Sequence, residues 1–220
     1  MFTVALIHPW ADLVPLLTEV AHEVMADAEL IHMVDEGIPR LVAEAGGITE
    51  PATRRLCGYA MNAHEAKADA VMLTSPVFGP ALDAVRSVVG IPVVRIDAAM
   101  VESAVQFGTN VGVLATSPLT LEPTLALLLE RADAKGKDVA LDSRVSEEAG
   151  AALARQDREA YERIVSEEAA QLAGNDCVVL ADVMMHRALR AASERVRVPV
   201  LASPQLGFED LAKKLDYFRR

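Results

Sequence analysis

Short runs rich in Val, Ile and Leu alternate along the chain with longer stretches in which apolar residues recur at helical spacing. The runs at 3–7, 30–34, 70–74, 92–96, 110–115, 139–142, 177–181 and 199–202 predict β-strands. Amphipathic stretches at 11–26, 51–67, 119–134 and 157–173 predict helices between them. Strands alternating with helices imply βαβ units and a mainly parallel sheet. Continuous apolar strands fit sheets covered on both faces.

The pattern repeats. Ala68-Asp69-Ala70-Val71-Met72-Leu73 matches Asn175-Asp176-Cys177-Val178-Val179-Leu180 at an offset of 107 residues. Ile91-Pro92-Val93 and Val198-Pro199-Val200 share that offset, as do Ala81-Leu82 and Ala188-Leu189, Val4 and Val111, and Asp35 and Asp142. Five matches at one offset predict a duplicated unit. The expected fold is α/β, with two pseudo-symmetric lobes, each a mainly four-stranded parallel sheet flanked by helices. Residues 1–98 with 205–220 form the first expected lobe and 99–204 the second. No Gly/Ser-rich linker separates them, so the lobes are expected to be tightly joined, with an active-site cleft between them.

Composition narrows the classes. With 220 residues, 52% of them hydrophobic, the chain is expected to fold rather than stay disordered. Aromatics make up only 4%, so the core is expected to be aliphatic. Lys and Arg number 21 against 32 Asp and Glu, a formal charge of −11, which repels nucleic acid and anionic membranes but leaves room for a locally positive pocket. No apolar run approaches the ~18 residues of a membrane span. The first basic residue is Arg40, so the apolar start lacks the positive segment of a signal peptide. The two cysteines, Cys57 and Cys177, have no metal-type spacing. These features predict a reduced, cytoplasmic protein.

In open parallel sheets, ligands bind beyond the carboxyl ends of the strands. Four of those ends read as a polar residue followed by proline: His8-Pro9, Ser75-Pro76, Ser117-Pro118 and Ser203-Pro204. A hydroxyl there caps a helix, proline suits the first turn, and outward N–H groups suit an anion such as a carboxylate. Thr74, Thr116 and Thr120 add hydroxyls beside them. Any one such end can be a plain cap; several in two duplicated halves point to a carboxylate site. Ser75 and Asp182 stand 107 residues apart, at equivalent places of the repeat.

The stretches Leu73-Thr-Ser-Pro-Val-Phe-Gly79, Ile91-Pro-Val-Val-Arg-Ile-Asp97, Val111-Gly-Val-Leu-Ala-Thr116, Asp176-Cys-Val-Val-Leu-Ala-Asp-Val-Met-Met185 and Val198-Pro-Val-Leu-Ala-Ser-Pro204 together resemble the aspartate/glutamate racemase superfamily. Leu30-Ile-His-Met-Val-Asp-Glu36 extends the likeness toward the start. The order and spacing carry it, not one motif. The resemblance implies two α/β lobes, no cofactor, and chemistry on carboxylate-type carbon acids. It spans racemases of amino acids and hydantoins, maleate isomerases and arylmalonate decarboxylases. It also implies a homodimer or higher homo-oligomer. Racemases of this kind carry one cysteine per lobe, and those positions fall on Ser75 and Asp182. Cys177, starting a strand, and Cys57, within a helix, do not replace them, so two-thiol racemisation is not expected.

What remains is one carboxylate and one hydroxyl. A serine is a poor base without an activating partner. An aspartate in an apolar pocket, here with Val183, Met184 and Met185 following, is raised toward the range of a general acid or base. His186 is expected one helical turn beyond Asp182, and His8 ends the first strand; either can equally be structural. His22, His32 and His64 have less claim, being mid-helix or mid-strand. Asp35-Glu36 and Asp97 are expected to start helices. No metal and no nucleotide cofactor are expected.

The sequence therefore points to a cofactor-independent, racemase-like isomerase acting on a small carboxylic or dicarboxylic acid. Asp182, Ser75 and His186 are the candidate catalytic residues. His8, Thr74, Pro76, Thr116, Ser117, Thr120, Val183 and Ser203 are the candidate substrate-binding residues. The alternatives are a decarboxylase or other lyase, and a carboxylate-binding protein without catalysis. A serine hydrolase fits poorly, because Ser75, directly followed by Pro76, lacks the glycine pattern of a nucleophile elbow around it.

Overall fold

The computed structural model of the chain describes residues 2–218. Eight strands form two parallel sheets of four. The first has the order β2-β1-β3-β4, from β1 (Thr3–His8), β2 (Glu29–Val34), β3 (Ala70–Leu73) and β4 (Val93–Arg95). The second has the order β6-β5-β7-β8, from β5 (Asn110–Ala115), β6 (Ala140–Val145), β7 (Cys177–Leu180) and β8 (Val200–Ala202). Ten α-helices flank the strands among the described residues: α1 (Leu13–Val24), α2 (Gly37–Ala45), α3 (Glu50–Glu65), α4 (Leu82–Ser87), α5 (Ala98–Phe107), α6 (Pro118–Asp133), α7 (Glu147–Ala154), α8 (Arg158–Gln171), α9 (Leu189–Arg195) and α10 (Ser203–Phe218). The chain divides into two compact units. One runs through Ile96 and resumes at Pro204; the other is Asp97–Ser203.

The duplication is written in the hydrogen bonds. The backbone N–H of Thr3 donates to Asp69 Oδ2 at 2.7 Å, and that of Asn110 donates to Asp176 Oδ2 at 2.8 Å, each tying the start of a central strand to the residue before its neighbour. Val71 N–H donates to Pro92 O, as Val178 N–H does to Pro199 O, both at 2.9 Å. Thr74 N–H reaches Ile7 O as Ala181 N–H reaches Leu114 O. Every one of these pairs is related by the 107-residue offset. Two backbone N–H donors, from Thr109 and Asn110, hold the Asp176 carboxyl below its usual range.

One of the five sequence matches does not survive. Val4 pairs with Leu30 across β1 and β2, and Val111 pairs with Leu141 across β5 and β6, so the second strands are related by 111 residues, not 107. Asp35 follows β2, whereas Asp142 lies inside β6. The longer connection before β6 shifts the register. Asp97 is also corrected: it stands before α5 and is fully buried, but its side chain makes no capping bond.

The central strands β3 and β7 are buried along their whole length, while the edge strand β6 is largely exposed. Helices bury one stripe each. In α3, Thr49 caps Ala52 N–H at 3.3 Å, and Ala52, Leu56, Ala60 and Ala63 face inward at helical spacing. In the second unit, Tyr161, Ile164, Val165 and Ala169 of α8 pack with Leu114, Val178 and Leu180 of the sheet. Each large aliphatic side chain so buried contributes about 1.5–3 kcal/mol.

The last helix, α10, belongs with the first unit from Pro204 onward. It comes so close that a Cβ on Gly207 would lie 2.5 Å from the Ile96 carbonyl oxygen. Gly207→Ala is expected to cost about 1–3 kcal/mol of stability. Gly174→Ala is the control, since nothing lies within 4 Å of its Cβ. Urea unfolding of the two variants checks this, and equal midpoints would refute the close packing.

Candidate active site

The candidate residues sit at the carboxyl ends of the parallel strands, in two groups, one on each unit. On the first unit these are His8, closing β1, and Thr74, Ser75 and Pro76, which follow β3. Thr74 is fully buried and its hydroxyl donates to Ile7 O at 2.8 Å. His8 Nδ1 lies 2.9 Å from Thr74 Oγ1, and His8 Nε2 lies 2.8 Å from His32 Nδ1. Ser75 Oγ accepts from Val77 N–H at 3.3 Å, capping the 3-10 segment Pro76–Ala81, with Pro76 at its first position. Burial and the neighbouring His32 push His8 down to about 3, so its ring is neutral. His8-Pro9 begins no helix: α1 starts only at Leu13. His8 is instead held in a buried side-chain network.

On the second unit, Ser117 Oγ accepts from Leu119 N–H at 3.1 Å and caps α6, with Pro118 in the first turn. Asp182 precedes the 3-10 segment Val183–Ala188 at the place that Ser75 holds in the first unit, yet its side chain does not cap. Its carboxylate turns instead toward the end of β5, where Oδ2 accepts from Thr116 N–H at 2.6 Å. The Thr120 and Thr116 hydroxyls lie beside it. Asp182 keeps a partly accessible surface but lies deep among protein atoms. Burial raises its pKa above the ordinary aspartate value, and the Thr116 N–H with the neighbouring Thr120 and Thr116 hydroxyls only partly offsets this. A carboxylate so placed has stronger proton affinity than a free one and remains oriented by fixed donors.

His186 lies within the 3-10 segment, which closes with Met185 N–H on Asp182 O at 2.9 Å. The expected α-helical turn from Asp182 is therefore corrected. The segment is 3-10, and its first turn closes through Met185 rather than His186. Val183 is buried at the start of this segment. Ser203, at the junction of β8 and α10, is fully buried, and its Oγ has no hydrogen-bond partner among the described residues.

Two residues that the sequence did not single out belong with Asp182. Tyr161, buried in α8, has a hydroxyl with no hydrogen-bond partner among the described residues, and the same holds for Arg187 Nε. Burial pushes the Tyr161 phenol well above its usual value; the Asp182 charge adds to this and Arg187 opposes it. The Tyr161 hydroxyl and the Arg187 Nε–H are buried donors left open, of the kind that can serve an oxyanion. Nothing in the spacing of α8 distinguishes Tyr161 from an ordinary core aromatic.

The cysteines lie elsewhere. Cys177 opens β7, at the opposite end of that strand from Asp182, and is buried with its thiol near Ala104 O. Burial, and then the Asp176 charge, push it up to about 11. Cys57 is half-buried within α3, and burial raises its thiol too. Neither is poised as a thiolate. Asp35, which follows β2, is held by Arg55 Nε at 2.6 Å and Nη2 at 2.9 Å, with Gly37 N–H on Oδ1, so it braces the start of α2. Among the described residues, no group of three or more His, Cys, Asp or Glu could hold a metal ion. No described helix is long and apolar enough to cross a membrane.

The sequence matches the family model of the Asp/Glu/Hydantoin racemases over residues 11–211. Among curated proteins, none matches the sequence. Solved structures do. Allantoin racemase from Klebsiella pneumoniae is 19% identical with a TM-score of 0.70, covering 100% of this chain and 89% of its own. Glutamate racemase from Francisella tularensis, solved with D-glutamate, is 14% identical with a TM-score of 0.71, covering 99% and 82%. Arylmalonate decarboxylase is 17% identical with a TM-score of 0.65, covering 97% and 92%. At such identities these likenesses establish the shared fold.

Proposed function

The chain belongs to the Asp/Glu/Hydantoin racemase family, and from that premise we propose that it catalyses racemase-like proton transfer on a small carboxylic or dicarboxylic acid without a cofactor. Asp182 is the proton-transfer group. The observation that carries this reading is the Asp182 carboxylate, raised by burial and aimed by the Thr116 N–H at 2.6 Å. A base must be both basic enough and fixed in direction, and the raised pKa and the fixed donor support these two requirements.

Removing a proton beside a carboxylate places negative charge on oxygen. Tyr161, Arg187 and the Thr120 hydroxyl are the donors that would stabilise it, and Thr116, Ser117 and Ser203 would orient the substrate carboxylate. Ser75, Thr74, His8 and Pro76 are the candidate substrate-binding residues of the first unit, and Val183 is an apolar candidate of the second. The solved relatives act on or bind glutamate and allantoin by their names, which supports a carbon acid of that size. We further propose a cytoplasmic homo-oligomer as its working form.

A lyase is the second reading, favoured by the likeness to arylmalonate decarboxylase. Proton NMR in heavy water separates the two. The panel is aspartate, glutamate, malate, maleate, a substituted hydantoin and substituted malonates. Loss of an α- or vinylic signal with the carbon skeleton intact is the expected result. Release of carbon dioxide from the malonates would favour the lyase. Ligand-induced shifts in the protein with no exchange in any compound would overturn both and leave a binding protein.

A further inference from the structure

Four side chains of the first unit form an unbroken hydrogen-bonded line from the strand ends to α1. Thr74 Oγ1 lies 2.9 Å from His8 Nδ1, His8 Nε2 lies 2.8 Å from His32 Nδ1, and His32 Nε2 lies 3.1 Å from Thr18 Oγ1. A backbone carbonyl closes each end: Ile7 O is 2.8 Å from Thr74 Oγ1, and Val14 O is 2.7 Å from Thr18 Oγ1. His8 and Thr74 are fully buried, while Thr18 and His32 are partly exposed.

Proton counting shows what such a line allows. Each hydroxyl has one hydrogen, each neutral imidazole has one, and each carbonyl can only accept. Two arrangements fill all three links between side chains together with one of the two carbonyl contacts. In the first, Thr18 O–H donates to His32 Nε2, His32 Nδ1–H to His8 Nε2, His8 Nδ1–H to Thr74 Oγ1, and Thr74 O–H to Ile7 O. In the second, all four hydrogens point the other way: Thr74 O–H donates to His8 Nδ1, His8 Nε2–H to His32 Nδ1, His32 Nε2–H to Thr18 Oγ1, and Thr18 O–H to Val14 O. Each direction ends on one carbonyl, Ile7 O in the first and Val14 O in the second, and leaves the other contact without a hydrogen. A purely structural network needs only one.

We propose that Thr18, His32, His8 and Thr74 are a reversible proton wire that links the carboxyl end of the first unit's sheet with solvent beside α1. This deepens the proton-transfer reading above and rests on it. Thr74 is fully buried with its hydroxyl on Ile7 O, so a substrate must first part the two; the wire would then resupply that hydroxyl when it gives its proton to a carbanion. Thr74 Oγ1 then takes the proton from His8 Nδ1, His8 Nε2 takes that of His32 Nδ1, His32 Nε2 takes that of Thr18, and Thr18 Oγ1 takes one from a solvent water or buffer acid. The first arrangement has become the second, with both imidazoles neutral before and after. Proton removal runs the same steps backward.

The electrostatics fit neutral carriers. Burial lowers both histidines; His32 acts on His8, and His22, exposed on α1 one turn beyond Thr18, acts on His32. A doubly protonated ring is disfavoured along the whole line.

The test uses the full chain, uniformly labelled with nitrogen-15, and measures how fast the buried ring proton of His8 exchanges with water. Thr18→Val removes the outer hydroxyl and is expected to slow that exchange by roughly tenfold or more. Thr18→Ser, which keeps the hydroxyl, is expected to restore it. Asp182→Asn is expected to leave it unchanged, so failure of the wire and failure of the Asp182 reading are told apart. Exchange that Thr18→Val does not slow, or a His8 ring protonated on both nitrogens at pH 7, would overturn the proposal.

Discussion

Asp182→Asn is expected to lower turnover by roughly 10²–10⁴-fold, the usual contribution of a positioned general acid or base. The fold is expected to survive, because the amide oxygen can still accept from Thr116 N–H. Linkage gives the sign of the stability change. The folded-state pKa of Asp182 is raised above the unfolded value. Its contribution is therefore most favourable below the unfolded pKa and is lost as pH rises through the folded one. Above both pKa values the ionised carboxylate works against folding, so the Asn variant is expected to melt no lower than the parent there. Activity has the opposite slope: a base must be ionised, so the acid limb of the parent's pH–rate profile is expected above the ordinary aspartate range. Thermal melts and initial rates across pH check both. A variant that kept parental turnover would remove Asp182 from the chemistry.

Phe208→Ala is expected to destabilise the protein by about 3–5 kcal/mol. Phe208 is fully buried and lies on one stripe of α10 with Leu211 and Leu215. That helix follows the last strand of the second unit, yet from Pro204 it belongs to the first. The first unit is thus completed by a segment more than a hundred residues away in sequence. Local helix propensity cannot replace that anchor; most of a helix's stability in a protein comes from the face it packs. Urea unfolding measures the loss, and a change below about 1 kcal/mol would show that α10 is dispensable to the core.

The central strands were legible because burial on both faces leaves few polar residues in them. The runs at 70–74 and 177–181 overlap β3 and β7, and the 107-residue offset relates their hydrogen bonds as well as their letters. The edge was less legible. Asp142, Ser143 and Arg144 look like the exit from a strand, but they lie inside β6, whose outer side meets solvent and tolerates them. Asp142 therefore has no counterpart in Asp35: the register is set by Val111 opposite Leu141, which no spacing reveals. At the strand ends, sequence could name Asp182 and the hydroxyls. It could not see that Asp182 would abandon the cap that Ser75 keeps. Tyr161 and His32 were missed for a related reason. Their partners come from other elements, and a lone aromatic or a mid-strand histidine carries no signal of that.

The two carboxyl-end groups differ in chemical character. The first unit offers hydroxyls and neutral imidazoles, the second a raised carboxylate with donors around it. The two thiols are held away from that role, Cys177 by deep burial beside the Asp176 charge. The claim that unites these features is proton transfer without thiols. Its most direct test is solvent-deuterium incorporation into a carbon acid of the panel by two variants, side by side with the parent. One carries Cys57→Ala and Cys177→Ala together; the other carries Asp182→Asn. The double cysteine variant is expected to incorporate deuterium at close to the parental rate, and Asp182→Asn at background. The reverse pattern, with activity lost alongside the cysteines and kept without the carboxylate, would contradict the account.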